Sequence, residues 1–121
     1  MAIKSIACAW SPITDWAATK TFWLEKVGLV PHGQGYEGEW MEFHVPGDNT
    51  VIAIHNASEQ FPVGSNAIVT FETDDIEADV ARMKNVGVEF VGGIHEEPGI
   101  VKLAVFKDPA GNIFQLGQSL M

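Results

Sequence analysis

Residues 14–28 and 73–87 repeat one another faintly. Thr14-Asp15 maps onto Thr73-Asp74 and Val27-Gly28 onto Val86-Gly87, at one offset of 59 residues. Such a duplication constrains the fold strongly, because one unit cannot bury its apolar face alone and the copies must pack together. Each copy has an Asx-type helix start, about twelve residues of helical pattern, and a glycine followed by an aliphatic or β-branched stretch. In the first, Asp15 caps the helix, Thr19, Phe22, Trp23 and Val27 recur near the 3.6-residue period, and Gly28 supplies the positive φ that closes it. In the second, Asp74 or Asp75 caps, the acidic residues Asp75 and Glu77 suit the helix dipole, and Ile76, Val80, Met83 and Val86 form an apolar stripe.

The segments around each helix read as strands. They span 3–10, 29–36, 39–45 and 50–56 in the first copy, and 67–72, 88–94, 101–106 and 112–117 in the second. Each half is therefore βαβββ, and the expected class is α+β: two tandem modules, about 1–58 and 64–121, in one domain too short for a second independent core. Pro46-Gly47-Asp48-Asn49 and Asp108-Pro109-Ala110-Gly111-Asn112 carry turn chemistry and close hairpins. Alternation predicts Met41, Phe43, Val45, Ile52 and Ile54 under the helix. Trp40, Glu42, His44, Val51, Ala53 and His55 then fall on the opposite, concave face.

The charge balance excludes some partners. Seven Lys plus Arg against sixteen Asp plus Glu leave a net charge of -9, so the surface repels phosphate backbones and anionic membranes, and nucleic acid is not an expected partner. No apolar run reaches the roughly 18 residues of a membrane span. Cys8 is alone and cannot form an intrachain disulfide; its small neighbours Ala7 and Ala9 predict a buried core thiol. The short apolar start, cut off by Ser11-Pro12, does not read as a signal peptide, and a cytoplasmic location is expected.

The segment AVFKDPAGNIFQL resembles the C-terminal signature of the vicinal oxygen chelate superfamily, which includes glyoxalase I, bleomycin-resistance proteins and extradiol dioxygenases. Phe106, Asp108-Pro109, Gly111-Asn112 and Leu116 match it. FETDDIEADVARMKNVGVEF is similar to that family's second module and DWAATKTFWLEKVGL to its first. The resemblance implies paired βαβββ modules, the arrangement that periodicity gives independently. It also implies a divalent metal, held by His or Glu on the first and last strand of each module. Those positions fall on Cys8, Ala53, Ile68 (Ala67 if the register runs from Asp74) and Gln115. None is His or Glu: Ala and Ile cannot ligate, and Gln is a weak neutral donor, whereas such a site needs three or four donors at about 2.0 to 2.3 Å.

A rearranged metal site is the alternative. If Val45 faces Thr50, Glu42 lies opposite Ala53 with His55 a diagonal neighbour roughly 7 to 8 Å away, so Glu42 and His55 are the candidate catalytic pair; His44 is roughly 13 Å from His55. His32 and His95 read as surface histidines in loop or strand-edge contexts. Without a metal the concave face still offers Trp10, Trp40, Glu42, His44, His55, Lys102 and Gln115, with Phe106 as a further aromatic. Aromatic planes with a few polar groups suit a flat, aromatic or cationic organic ligand. The expectation is thus a homodimeric small-molecule binding protein with no metal cofactor, resembling the bleomycin-resistance members. The alternative is a metal-dependent lyase, isomerase or dioxygenase around Glu42 and His55.

Overall fold

Two aspartates set the helices. Asp15 accepts a hydrogen bond from the Ala18 backbone N–H at 3.0 Å, and Asp75 accepts one from the Ala78 N–H at 3.1 Å. Both are side-chain N-caps that satisfy donors the first turn leaves free. The computed structural model describes all 121 residues. In chain order it contains β1 (Ala9–Ile13), α1 (Trp16–Thr21), a π-helical continuation of α1 (Phe22–Val27), β2 (Val30–Pro31), β3 (Trp40–His44) and β4 (Val51–Asn56). The second half follows as β5 (Thr70–Glu72), α2 (Ile76–Asn85), β6 (Glu89–Glu97), β7 (Val101–Lys107) and β8 (Ile113–Ser119). The order is βαβββ twice, an α+β fold of two modules.

Each module forms one four-stranded sheet, ordered β1-β4-β3-β2 and β5-β8-β7-β6. The first and last strands of a module pair in parallel, and the other neighbours are antiparallel. In the β3–β4 hairpin Glu42 pairs with Ala53 and His44 with Val51, the register that the four-residue turn predicts.

The two helical segments differ by one residue. Thirteen positions separate the cap Asp15 from Gly28, but only twelve separate Asp75 from Gly87, and both glycines take positive φ (98° and 93°) to end the segment. A π-helical stretch is how a helix takes in an extra residue without losing its ends, and it occurs only in the longer copy. The repeat therefore runs from Asp15 to Asp75 at an offset of 60 at the caps and closes to 59 at the glycines.

Four expectations are corrected. The first strand begins at Ala9 rather than Ile3 and runs through Pro12, because β1 is an edge strand and a proline lacking N–H is tolerated there. The second strand shrinks to Val30–Pro31, followed by a glycine-rich loop in which Gly33 and Gly38 take positive φ. Val45 lies past the end of β3, where the turn at Pro46 begins, and is 38% exposed rather than packed under a helix. Phe106 is fully buried on the core face of β7 and not on a concave face.

One core spans both modules. Trp23 is fully buried, with ring centroids 4.9 Å from Phe22, 5.7 Å from Phe71 and 4.8 Å from Phe114, so the first helical segment packs onto aromatic side chains of the second sheet. Ile13, Phe43 and Ile54 complete the cluster from the first module, and Ile76, Met83 and Phe106 from the second. Each such side chain contributes about 1.5 to 3 kcal/mol by burial. The concave faces of both sheets lie outside this core.

Candidate functional site

The concave face of the first sheet follows from register alone. Trp10 pairs with Ala53, and Ala53 with Glu42; in the next row Pro12 pairs with His55, and His55 with Trp40. Side chains in these two rows share a face, since strand residues alternate by two. Ala53 is the smallest of them and buried, so the larger residues stand around a low centre.

The aromatic rings meet. Trp10 lies 6.4 Å from Trp40, 5.6 Å from His55 and 5.2 Å from Phe61, the last two edge-to-face. Phe61 comes from the connection between modules, where Ser58 and Phe61 close a turn on each other; no periodicity marks such a residue, and the sequence reading missed it. A cavity of about 350 Å³ opens beside Trp10 and Phe61, lined also by Cys8, Pro12, Ser65 and Asn66.

Polar groups on this face already have partners that fix their orientation. The Trp40 indole N–H donates to the Glu42 carboxylate at 3.1 Å. His55 Nδ1 donates to the Glu39 carbonyl, which fixes the tautomer of the neutral ring with Nε2 as its acceptor. Glu42 and His55 are thus bonded to separate partners and not to each other. No three of the His, Cys, Asp and Glu side chains converge as a metal-binding group. Cys8 is partly exposed rather than a core thiol. Burial pushes its pKa up, and the nearby Glu42 charge pushes it further, so the thiol is poorly ionised at neutral pH.

The remaining candidates scatter. His44 shares the face but its ring turns to His32, with the Nδ1 atoms 3.2 Å apart. Lys102 was expected in the cleft and is not there. It shares the parity of Ala104 and Phe106 on β7, the side that faces α2, and its ammonium donates to Glu77 on that helix at 2.6 Å. Gln115 is on the concave face of the second sheet, where Thr70 donates to its side-chain oxygen at 2.8 Å. That face is mixed: Thr70, Glu72, Val101, Leu103, Gly117 and Ser119 line a shallow groove of about 300 Å³ with Ile100 and Met121, and the His95–Glu97 pair lies beside Leu103 and Val101.

The four positions at which the resemblance implies a metal do not fit one. Cys8 and Ala53 are on the first concave face, while Ile68, 56% exposed, and Gln115 are on the second module. Two of the four have no donor atom, and the Gln115 oxygen is engaged by Thr70.

Comparison with known proteins gives a consistent picture. The family model for the Glyoxalase/Bleomycin resistance protein/Dioxygenase superfamily matches residues 6–116. Protein YetH of Bacillus subtilis (strain 168) is 34% identical, the match covering 94% of this chain and 98% of that protein. TnmS3, an antibiotic binding protein from Streptomyces sp. CB03234, superposes with a TM-score of 0.83 at 30% identity, covering 98% of each chain. A lactoylglutathione lyase from Agrobacterium tumefaciens superposes with a TM-score of 0.74 over 99% of this chain and 97% of that one; at 17% identity it shares the fold alone.

Proposed function

From a chain that belongs to the Glyoxalase/Bleomycin resistance protein/Dioxygenase superfamily, we propose a protein that binds a small, flat organic molecule against Trp10, Trp40 and His55, without a metal at the family's positions. The observation that carries this reading is the aromatic cluster of Trp10, Trp40, His55 and Phe61 around Ala53, standing where an alanine replaces a metal donor. Stacking and hydrophobic contact supply the affinity for such a ligand, and a few oriented polar groups supply the selection. Here His55 Nε2 and the Glu42 carboxylate are both acceptors, and the chain carries a net charge of -9, so an aromatic ligand bearing a cationic or hydrogen-bond-donating group is favoured. An antibiotic-binding relative of the same fold at 30% identity supports small-molecule binding.

The second concave face, with an apolar strip of Ile100, Val101 and Leu103 bordered by Glu72 and Ser119, completes the cleft in a homodimer, so that this strip meets the aromatic face of the partner.

Tryptophan fluorescence tests the reading directly. Titration with a panel of planar aromatic cations and their neutral analogues should quench or shift the emission for at least one cation. Trp10→Ala and Trp40→Ala should each weaken that binding about tenfold, as the loss of roughly 1 to 1.5 kcal/mol of aromatic contact implies. No response across the panel, or a response that survives both substitutions, rejects it.

A further inference from the structure

His32 and His44 are not used by the cleft described above. His32 follows β2 at the edge of the first sheet, and its backbone N–H donates to the Glu42 carbonyl at 2.8 Å. This registers His32 opposite Glu42 and diagonally beside His44, whose own partner in the ladder is Val30. Both rings are half-buried, their Nδ1 atoms stand 3.2 Å apart, and their planes cross at 87°. In the neutral pair one Nδ1 carries a proton that the other accepts.

Two nitrogens bound at 2.0–2.1 Å to one tetrahedral ion lie about 3.3 Å apart. The histidine pair already has that separation, so a cation that replaces the shared proton is reached by turning the rings toward a point beside the N···N line, without drawing them apart. We propose that His32 and His44 together bind one divalent transition-metal ion of the class imidazole prefers, Zn²⁺, Ni²⁺ or Cu²⁺, through their Nδ1 atoms. Two nitrogen donors and no carboxylate argue against Ca²⁺ and Mg²⁺, which require oxygen shells. The Glu42 carboxylate is held by the Trp40 indole, so the other coordination positions are filled by water and stay exchangeable.

The setting favours a cation. The pair shares its face with the Glu42 carboxylate, and the net charge of -9 raises cation concentration at the surface. The site is separate from Cys8, Ala53, Ile68 and Gln115, and it does not depend on whether the aromatic cleft binds a ligand.

Isothermal titration of chelator-stripped protein carrying no polyhistidine tag, with Zn²⁺ and with Ni²⁺, is the test. One ion per chain is expected, with affinity falling at least about tenfold in His32→Gln and in His44→Gln, unchanged in His95→Ala, and with no binding of Ca²⁺. Circular dichroism checks that the variants fold. A second measurement needs no variant: Zn²⁺ should move the imidazole ¹⁵N resonances of two of the four histidines in the wild-type chain. Absence of binding, binding insensitive to both glutamine substitutions, or resonance shifts in none or all four histidines would leave the pair as a hydrogen bond only and overturn the proposal.

Discussion

Asn112 holds more of the molecule together than any residue of the aromatic cleft. It is fully buried, its side-chain amide donates to the Pro12 carbonyl of β1 at 2.7 Å and to the Asp108 carboxylate at 2.9 Å, and its oxygen accepts from the Gly64 N–H at 2.7 Å. Asp108 in turn accepts from the backbone N–H groups of Gly111 and Asn112. The Asp-Pro-Ala-Gly-Asn segment that carries the family resemblance thus fastens the last hairpin to the first strand and to the connection between modules. Asn112→Ala strands a buried carbonyl and a buried carboxylate oxygen, and should lower unfolding free energy by about 2 to 4 kcal/mol in a urea titration. Burial raises the Asp108 pKa above the ordinary 3.8, against the lowering effect of its hydrogen bonds to Asn112, Gly111 and Ala110. The folded chain therefore binds this proton more readily than the unfolded chain does. The associated stability is full below pH 3.8 and is lost as pH rises through the folded-state value. Urea midpoints measured from pH 7 downward should show wild type gaining on Asp108→Asn as the pH approaches 4 from above; a constant difference would mean that Asp108 does not titrate abnormally.

At the scale of elements, alternation and turn length carried the sequence reading where a strand sits between two others. The pairing of Glu42 with Ala53 and the common face of Trp40 and His55 follow from period two and a four-residue turn, and both occur. Where edges, linkers or an inserted residue decide, local pattern has no handle. Pro12 reads as a strand terminator unless β1 is known to be an edge. Lys102 goes to the helix side because bulky Phe106, two residue pairs along the same strand, belongs in the core. Phe61 reaches Trp10 from a connection whose path no periodicity encodes. The cap of α2 shows the same limit, because Asp74 and Asp75 are equivalent in sequence and only the helix start separates them. With Asp75 bonded to the Ala78 N–H, Asp75→Ala should cost about 1 kcal/mol, and Asp74→Ala should cost less than half of that. Equal losses in thermal or urea unfolding would place the cap differently.

For the whole molecule the decisive quantity is surface. The chain exposes 7359 Å², whereas a compact monomer of 13.2 kDa is expected to expose about 6400 Å². The difference, roughly 900 Å², is close to the roughly 800 Å² that each partner of a standard interface buries. Large apolar side chains are exposed at several places on that surface. Ile3 and Ile6 precede β1, Ile68 precedes β5, Val91 is on β6, and Ile100 borders the groove on the second sheet. A two-fold axis relating two copies would cover one such surface with the other, because a single isologous contact uses the same patches twice. It would also bring the Leu103 groove over the tryptophans: within one chain the space beside Trp10 is lined by the first strand, Phe61 and Ser65, Asn66 and Ala67, and the groove beside Leu103 by the second sheet and the C-terminus. Sedimentation equilibrium should then report a dimer for wild type. Ile68→Asp combined with Ile100→Asp should shift the chain toward monomer, since buried unpaired carboxylates on both sides of the axis are costly, while leaving its circular dichroism unchanged. The dissociated variant should also lose ligand-dependent tryptophan quenching although Trp10 and Trp40 are untouched. A wild-type monomer that still binds would show one module's face to be sufficient and remove the partner from the site.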